Sequence, residues 1–466
     1  MGKRENQTDR HRHPDSPGRI SIASIISFVL FVSPFTLPHF PKVPPTYAAA
    51  IDSTLASTTT PEGRLAVFDD AWQTVYDRYY DVNFHGVDWW GQRPLLRAEA
   101  ANARGPRELY AVIHRLLASL QDAHTRAYSP EEKFDWQHPR FVTVGLSLRE
   151  IQGEVTVVAV ERGSTAQRLG IRAGDLIETI EGQPARSQLA QKLREQAGSS
   201  TPQAARLFAL AALTDGPLET AVTLEWKGTD DKVHQASLSR ERHERSFALR
   251  IHHQRGVALV AIDAFTHTLA LEFARAMNGK LGHASGLVLD LRNNGGGDAE
   301  AMAEIASSLL PTATGLGRFI DRHGNVALKL ETTTRPRLSA RFLSAQGFKP
   351  LRVPIVILTS ERTSSAAEIL IAALKQSGNT TVLGSQTCGC VLAVRTRHAL
   401  PDGGELDVSE LDYQTAMGVR LEGVGIAPDE IFTLTRRDIY AGRDRMMEAA
   451  VARLRDPKVR RQALPL

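Results

Sequence analysis

Three patterns of apolar residues follow one another along the chain. From residue 62 to about 120 the apolar positions recur at helical spacing, as at Leu65, Phe68 and Trp72. From about residue 141 the pattern changes to short alternating strands, and from about 254 to 429 apolar strand runs alternate with helical segments. The patterns predict a multidomain α+β protein with a helical part, a β-rich part and an α/β core.

The changes in pattern set the predicted domain boundaries. We expect a helical domain over 62–135, a β-rich domain over 140–242, an α/β core over 250–435 and a helical tail over 436–466. The charged segment around Asp444 favours a final helix on the surface.

The first 50 residues have the composition of an export signal. A basic stretch precedes an apolar run over 20–37, and small residues at Ala48 and Ala50 suit a signal peptidase. Export to the periplasm or the extracellular space is therefore predicted, with a mature chain that begins near Ile51. The alternative is an uncleaved membrane anchor, because the apolar run approaches the ~20 residues that span a bilayer.

Composition narrows the function classes. The chain has 466 residues, a formal charge of only +4 and 23% charged residues, which gives little support for a nucleic-acid partner. Two cysteines exclude a disulfide framework and a multi-cysteine zinc site. The histidines have no ligand set around them, so no metal and no cofactor are expected. The oligomeric state stays open.

The run over 163–182 contains glycines at several fixed spacings and resembles a PDZ domain of the kind found in proteases. The resemblance implies that a loop upstream of this run receives a peptide's terminal carboxylate on its backbone N–H groups while the peptide adds a strand. The loop consists of Val144, Gly145, Leu146 and Ser147. The alternative is a PDZ-like scaffold that binds no ligand.

Ser365 follows a predicted buried strand and begins a predicted helix. Such a turn exposes the hydroxyl near unpaired N–H groups and the positive end of the helix dipole. On its own the segment is more typical of an ordinary helix cap, with Glu368 completing a capping box. A second segment, Asp290 to Gly297, ends in three glycines that allow close backbone approach.

Together these segments resemble the core of the C-terminal processing, or tail-specific, serine proteases. Four motifs occur in the family's order: 290–297, 365–368, 384–389 and 423–429. The resemblance implies a ClpP/crotonase-like core and a peptidase that acts on polypeptides.

By this resemblance Ser365 is the nucleophile, with Ser364 and Ser360 as rival hydroxyls. The implied oxyanion hole consists of the backbone N–H groups of Gly296 and Ala366. Gly295 is a near alternative to Gly296.

The chain departs from the Ser/Lys branch of that family. Cys390 stands where that branch has its lysine, and Val394 stands where it has a glutamine. Lys375 lies ten residues after Ser365, about three helical turns away, and is too distant to serve. Cys388 is two residues from Cys390, and the sequence leaves open whether the two cysteines pair.

A histidine offers a different base. Leu120 to Thr125 resembles a motif of the tricorn-like branch, which uses histidine, and implies that His124 is the general base. Glu422, seven residues before Asp429, matches that branch's glutamate, which orients the catalytic network. Ala123 replaces the serine that the tricorn pattern has before its histidine.

The predicted function is an exported serine endopeptidase that forms an acyl-enzyme on Ser365, with His124 as general base and a PDZ-like region for peptide recognition. The alternative is a catalytically inactive peptide-binding pseudoprotease, suggested by the missing lysine.

Overall fold

The computed structural model describes residues 55–132, 140–195, 199–244, 247–311, 313–333 and 351–462. The predicted export signal and its cleavage site lie outside this range. In the part of the chain that is described, no helix has the length and apolar character needed to cross a membrane.

The first part is helical, as its apolar spacing predicts. Its elements are α1 (Pro61–Arg78), a 3-10 turn (Phe84–Gly86), α2 (Trp89–Asn102), α3 (Pro106–Ala118) and β1 (Arg126–Tyr128). Thr60 caps α1 by accepting the Gly63 N–H, and proline occupies the first turns of α1 and α3. Gln121, in the loop between α3 and β1, has φ +51°.

The second part is built around one antiparallel sheet. Its elements are β2 (Arg140–Thr143), β3 (Leu146–Ile151), β4 (Glu154–Val160), α4 (Thr165–Arg168), β5 (Leu176–Ile180), β6 (Gln183–Pro184), α5 (Ala185–Glu195), α6 (Pro202–Ala212), β7 (Ala221–Lys227), β8 (Val233–Ser239) and β9 (Glu241–Glu244). The strand order is β3-β4-β5-β7-β8, with β6 on β5, and β2 pairs with β9. The apolar faces of these strands and of α5 and α6 share one core.

The third part alternates strands and helices. Its elements are β10 (Arg250–Gln254), β11 (Val257–Ala261), α7 (His267–Met277), β12 (Gly286–Asp290), α8 (Ala299–Ser307), β13 (Gly315–Asp321), β14 (Val326–Glu331), β15 (Ile355–Thr359), α9 (Ala366–Gln376), β16 (Thr380–Gly384), β17 (Ala393–Ala399), β18 (Glu405–Gln414), β19 (Glu430–Ile431), α10 (Arg436–Tyr440), α11 (Arg445–Arg455) and α12 (Pro457–Gln462).

A largely parallel sheet positions the site. Its order is β10-β11-β12-β15-β16-β19, and only the β10–β11 pair is antiparallel. Strands β12 and β15 are parallel neighbours, so the loops that follow them emerge at the same edge. The glycine run and Ser365 lie on these two loops.

A second sheet connects the helical part to the core. Strand β1 pairs with β18, which also pairs with β13 and β17. The helical part shares a hydrophobic core with four residues from the β17–β18 region, which are Leu392, Leu400, Leu406 and Val408. This packing brings the loop that carries His124 to the core.

The C-terminal segment forms a helix, and one face of that helix is buried. Helix α11 buries Ala450, Val451 and Leu454 against Val257 and Val288 of the parallel sheet, so it covers one face of that sheet. The physical reason is the apolar stripe on one side of α11, which needs a partner surface.

Candidate active site

Ser365 lies between β15 and α9 in a backbone conformation that is unusual for a side-chain-bearing residue. Its φ is +56° and its ψ is −124°. Such conformations cost about 1–3 kcal/mol and occur mainly at functional sites. The Ser365 N–H donates to the Cys390 carbonyl at 2.9 Å and to Glu368 Oε2 at 3.0 Å, and these bonds hold the residue in place.

Glu368 organises the loop opposite Ser365. Its fully buried carboxylate accepts four hydrogen bonds. The donors are the Ser365 N–H, the Thr387 hydroxyl, the Gly389 N–H and the Cys390 N–H. Burial raises the pKa of Glu368, and these donors oppose the rise. Glu368 therefore fixes the 387–390 loop against the start of α9.

The glycine run lies directly against Ser365. Gly296 has φ +96°, and a Cβ at this position would lie 2.6 Å from Ser365 Cβ. Only glycine fits so close to the serine. The Gly296 N–H donates to Asn294 Oδ1 at 2.8 Å in this conformation.

The predicted oxyanion donors thus differ in their availability. Within the described ranges, the N–H groups of Gly295 and Ala366 have no acceptor, whereas that of Gly296 is occupied by Asn294. The near alternative, Gly295, therefore has an N–H group that is free to donate.

The rival hydroxyls have other partners or positions. Ser360 is buried, and its hydroxyl donates to the Arg292 carbonyl and accepts the Arg362 N–H. Ser364 donates its main-chain N–H to the Asn294 carbonyl. It directly precedes Ser365 and does not have the strained backbone conformation.

The two cysteines form a disulfide, which the sequence left open. The pair is buried and packs with Ala204 of α6 and with Ala123. The Cys390 carbonyl accepts the Ser365 N–H. The disulfide therefore contacts the Ser365 segment and the residue before His124. Lys375 is engaged elsewhere, in an ion pair with Asp429 at 2.6 Å.

His124 lies on the loop between α3 and β1. Asp122 accepts the His124 N–H at 2.7 Å and the Thr125 hydroxyl, which fixes the loop. The ring Nδ1 is buried, lies 4.0 Å from Asp122 Oδ1 and has no hydrogen-bond partner among the described residues. Burial lowers the pKa of His124, and the Asp122 charge opposes this shift. No hydrogen bond joins the His124 ring to Ser365 in the described structure.

Glu422 contacts the two residues that follow the disulfide. Its Oε2 accepts the N–H groups of Val391 at 2.6 Å and Leu392 at 3.2 Å. Its Oε1 is buried and has no partner among the described residues. Burial raises the pKa of Glu422 to about 7, with a smaller opposing effect from the Ser200 hydroxyl.

The predicted peptide-binding loop lies before β3. Val144 is fully buried, and Gly145, with φ +84°, donates its N–H to Thr143 Oγ1 at 3.0 Å. A cavity of about 410 Å³ opens nearby, and residues of β3, α6 and the protease core line it. They include Arg149, Arg206 and Glu361. Arg149 forms an ion pair with Glu361, which joins β3 to the core.

Sequence reasoning missed three residues of this arrangement. Asn294, Asp122 and Ser200 contact the predicted site residues, and Glu368 was considered only as a cap and as part of a motif. Asn294 lies within the 290–297 motif and Asp122 within the 120–125 motif, so both could have been recognised from the sequence. Ser200 lies between α5 and α6 of the β-rich part, outside every motif, so no signal in the sequence pointed to it.

Comparison with known proteins defines the class, which is a serine-type peptidase. The model of peptidase family S41 matches residues 256–432, so the chain contains a domain of that family. The tricorn protease C1 domain matches residues 61–118. The predicted family and enzyme class are thereby confirmed.

Curated relatives match most of the chain. The carboxyl-terminal-processing protease of Synechocystis sp. is 27% identical over 374 residues, which cover 78% of this chain and 79% of that protein. The chloroplastic C-terminal processing peptidase of Tetradesmus obliquus is 28% identical over 388 residues, with 78% and 76% covered.

Two solved structures share the fold. The photosystem II D1 C-terminal processing protease matches with a TM-score of 0.53 and 23% identity, and 85% of this chain and 98% of that chain are covered. Mature CPAF complexed with lactacystin matches with a TM-score of 0.60 and 13% identity, and the match covers 84% of this chain and 99% of that chain. This chain has a multidomain fold with a helical N-terminal region and mixed sheets.

Proposed function

We propose that this protein hydrolyses polypeptides through an acyl-enzyme on Ser365, with His124 as the general base. The observation that carries the proposal is the position of Ser365. It lies at the start of α9 in a strained conformation, against a glycine that tolerates no side chain. An ordinary helix cap requires neither feature.

His124 is the base that this chain offers in place of lysine. Cys390 occupies the lysine's place and is held in a disulfide, so it cannot accept a proton as a thiolate. The lowered pKa keeps His124 neutral at pH 7, which is the state that a general base requires. The ring must move to reach Ser365, and catalytic hydrogen bonds are often long in the absence of substrate.

The steps follow from these positions. His124 takes the hydroxyl proton as Ser365 Oγ attacks the peptide carbonyl, and it then protonates the leaving amine. The Ala366 N–H and a glycine N–H at 295 or 296 stabilise the oxyanion, aided by the α9 dipole. Water then resolves the acyl-enzyme, with His124 again accepting a proton.

The PDZ-like region would receive the substrate. The loop Val144–Ser147 leads into β3, and a cavity lies between β3 and α6, which suits an extended peptide that adds a strand. The relatives' names refer to carboxyl-terminal processing, which supports recognition near a polypeptide's C-terminal end.

Export is part of the proposal. The basic and apolar N-terminal stretches support an exported or membrane-anchored protein in the periplasm or outside the cell. A disulfide persists best in such an oxidising compartment, so the Cys388–Cys390 bond also supports export.

Peptide hydrolysis by matched variants tests the proposal. We expect Ser365→Ala and His124→Ala to abolish cleavage, while Ser364→Ala and the exposed His323→Ala leave it near the wild-type rate. Full activity in Ser365→Ala or His124→Ala would refute the assigned role. Absence of Ser365-dependent cleavage in the wild type would favour the inactive pseudoprotease.

A further inference from the structure

A serine outside the predicted catalytic set lies where the segments of His124 and Glu422 meet. Ser200 precedes α6 in the β-rich part of the fold. Its Oγ accepts the N–H of Ala123 at 2.9 Å, and Ala123 directly precedes His124. Ser200 thus holds the main chain that carries the proposed base.

The neighbouring residue fixes the position of Ser200. Thr201 caps α6 by accepting the Ala204 N–H, and its hydroxyl donates to the Cys388 carbonyl at 2.5 Å. Ser200 is therefore attached to the disulfide loop on one side and to Ala123 on the other.

The Ser200 hydroxyl still has a proton to donate, because accepting an N–H uses only a lone pair. Oε1 of Glu422 is a buried acceptor that lacks a partner among the described residues. The hydroxyl lies near enough to oppose the rise of the Glu422 pKa. The Ser200 carbonyl oxygen lies 3.9 Å from where a Cβ on Gly423 would be, which places the serine beside this segment.

One other hydroxyl competes for this acceptor. Tyr79 is fully buried, and its hydroxyl also lacks a partner among the described residues. After burial, the charge that raises the Tyr79 pKa most is that of Asp122, ahead of Glu422. Substitution of Tyr79 therefore serves as the comparison for substitution of Ser200, because the charge of Asp122 acts on this phenol more than that of Glu422 does.

We propose that Ser200 is a positioning residue: it accepts the Ala123 N–H and donates its proton to Glu422 Oε1, linking Glu422 to the segment of His124. Ser200 thereby supplies, from another element, the hydroxyl that Ala123 lacks in comparison with the tricorn pattern. The inference rests on the proposed function, because Ser200 acts through His124 and Glu422.

Several groups face Glu422. The charge of Asp122 raises its pKa, whereas the N–H groups of Val391 and Leu392 lower it. The phenols of Tyr79 and Tyr80 interact with its charge. Loss of the Ser200 hydroxyl removes one of the stabilising groups, so the Glu422 pKa should rise further.

Peptide hydrolysis as a function of pH is the first test. We expect Ser200→Ala to lower kcat about tenfold near neutral pH, as for loss of a network hydrogen bond, and to move the acid limb of kcat/KM to higher pH. Ser200→Thr keeps a hydroxyl and should retain the wild-type limb. Ser199→Ala is the matched control. If the pH profile of Ser200→Ala matched that of Ser199→Ala, the inference would be overturned. It would also be overturned if Ser200→Ala lowered the rate but left the acid limb of kcat/KM at the wild-type pH.

Titration of Glu422 by NMR is the second test and needs no peptidase activity. With glutamate labelled at the carboxyl carbon, Glu422 is the resonance that disappears in Glu422→Gln. We expect its pKa to rise in Ser200→Ala and to stay unchanged in Tyr79→Phe. An unchanged pKa in Ser200→Ala, or a rise only in Tyr79→Phe, contradicts the inference. If the wild type shows no Ser365-dependent hydrolysis, the proposed function fails and this titration alone decides the Ser200 hydrogen bond.

Discussion

The main-chain N–H of Ser365 donates to the carbonyl of Cys390, the half-cystine that stands in the place of the Ser/Lys branch's lysine. Cys390 therefore holds the backbone of the proposed nucleophile. Glu368 reinforces this contact because it accepts the N–H groups of both residues. In this chain the disulfide loop is a support for the serine.

Loss of the disulfide should weaken that support. We expect the double variant Cys388→Ala and Cys390→Ala to lose about tenfold in kcat/KM, or about 1.4 kcal/mol, because the loop that holds Ser365 becomes less constrained. The assay is peptide hydrolysis with and without reductant. Reductant should lower the wild-type rate and leave the variant unaffected. Wild-type activity that persists after mass analysis shows two free thiols would argue against a supporting role.

Glu368→Gln should reduce both stability and activity. The glutamine amide would face backbone N–H donors, so two or more hydrogen bonds to a buried charged group are lost. We expect a loss of about 3 kcal/mol in the free energy of unfolding. Denaturant unfolding measures this loss. The control is Glu300→Gln, an exposed position that should change stability by less than about 0.5 kcal/mol. Equal stability of the two variants would contradict this description of Glu368.

Gly296→Ala should inactivate the enzyme without unfolding it. The new Cβ would lie 2.6 Å from Ser365 Cβ, in a backbone conformation with φ +96°. We expect kcat to fall about 100-fold or more through displacement of the serine. Gly295→Ala is the matched control, since its Cβ would have 4.0 Å to Ser364 Oγ and the backbone N–H is retained. A fully active Gly296→Ala protein would refute the close approach.

The acid limb of activity should reflect Glu422. Burial raises its pKa to about 7, and we expect the charged carboxylate to be the form that orients the network. The value of kcat/KM should therefore rise with pH through about 7, and Glu422→Gln should remove this limb while lowering the rate. The loss of kcat/KM that follows protonation of His124 should occur at a lower pH, because burial lowers the pKa of His124. If Glu422→Gln kept the same acid limb of kcat/KM as the wild type, Glu422 would be excluded as the source of that limb.

The raised pKa of Glu422 also affects stability, but the free energy of unfolding should fall with rising pH, whereas activity should rise. A carboxyl whose folded pKa is raised to about 7 favours the folded state below its unfolded pKa, and this contribution is lost as the pH rises through about 7. Between pH 4.5 and about 7, the free energy of unfolding of the wild type should decline relative to that of Glu422→Gln. Urea unfolding at pH 4, 5.5, 7 and 8 measures it, and parallel curves for the two proteins would contradict the raised pKa.

The sequence predicted the parts of the site that lie in contiguous motifs. Ser365 and Gly296 could be placed together because β12 and β15 precede them, and parallel neighbouring strands end at the same edge. The alternation of strand and helix in that region indicated such a sheet.

Contacts between distant segments could not be predicted in this way. Spacing along one chain does not show that Ser200 reaches Ala123, or that Asn294 occupies the Gly296 N–H. The pairing of Cys388 with Cys390 depends on the conformation of a very short loop. The packing of α11 on the sheet was missed because its charged residues outweighed the stripe of Ala450, Val451 and Leu454.

The proposed function requires that Ser365 is a nucleophile activated by His124. The most direct measurement is the rate at which a fluorophosphonate probe modifies Ser365 in the wild type, His124→Ala and His323→Ala, with the modified peptide identified by mass. We expect labelling of Ser365 in the wild type and in His323→Ala, and a rate at least 100-fold lower in His124→Ala. Labelling of another serine, or an equal rate in His124→Ala, would contradict it.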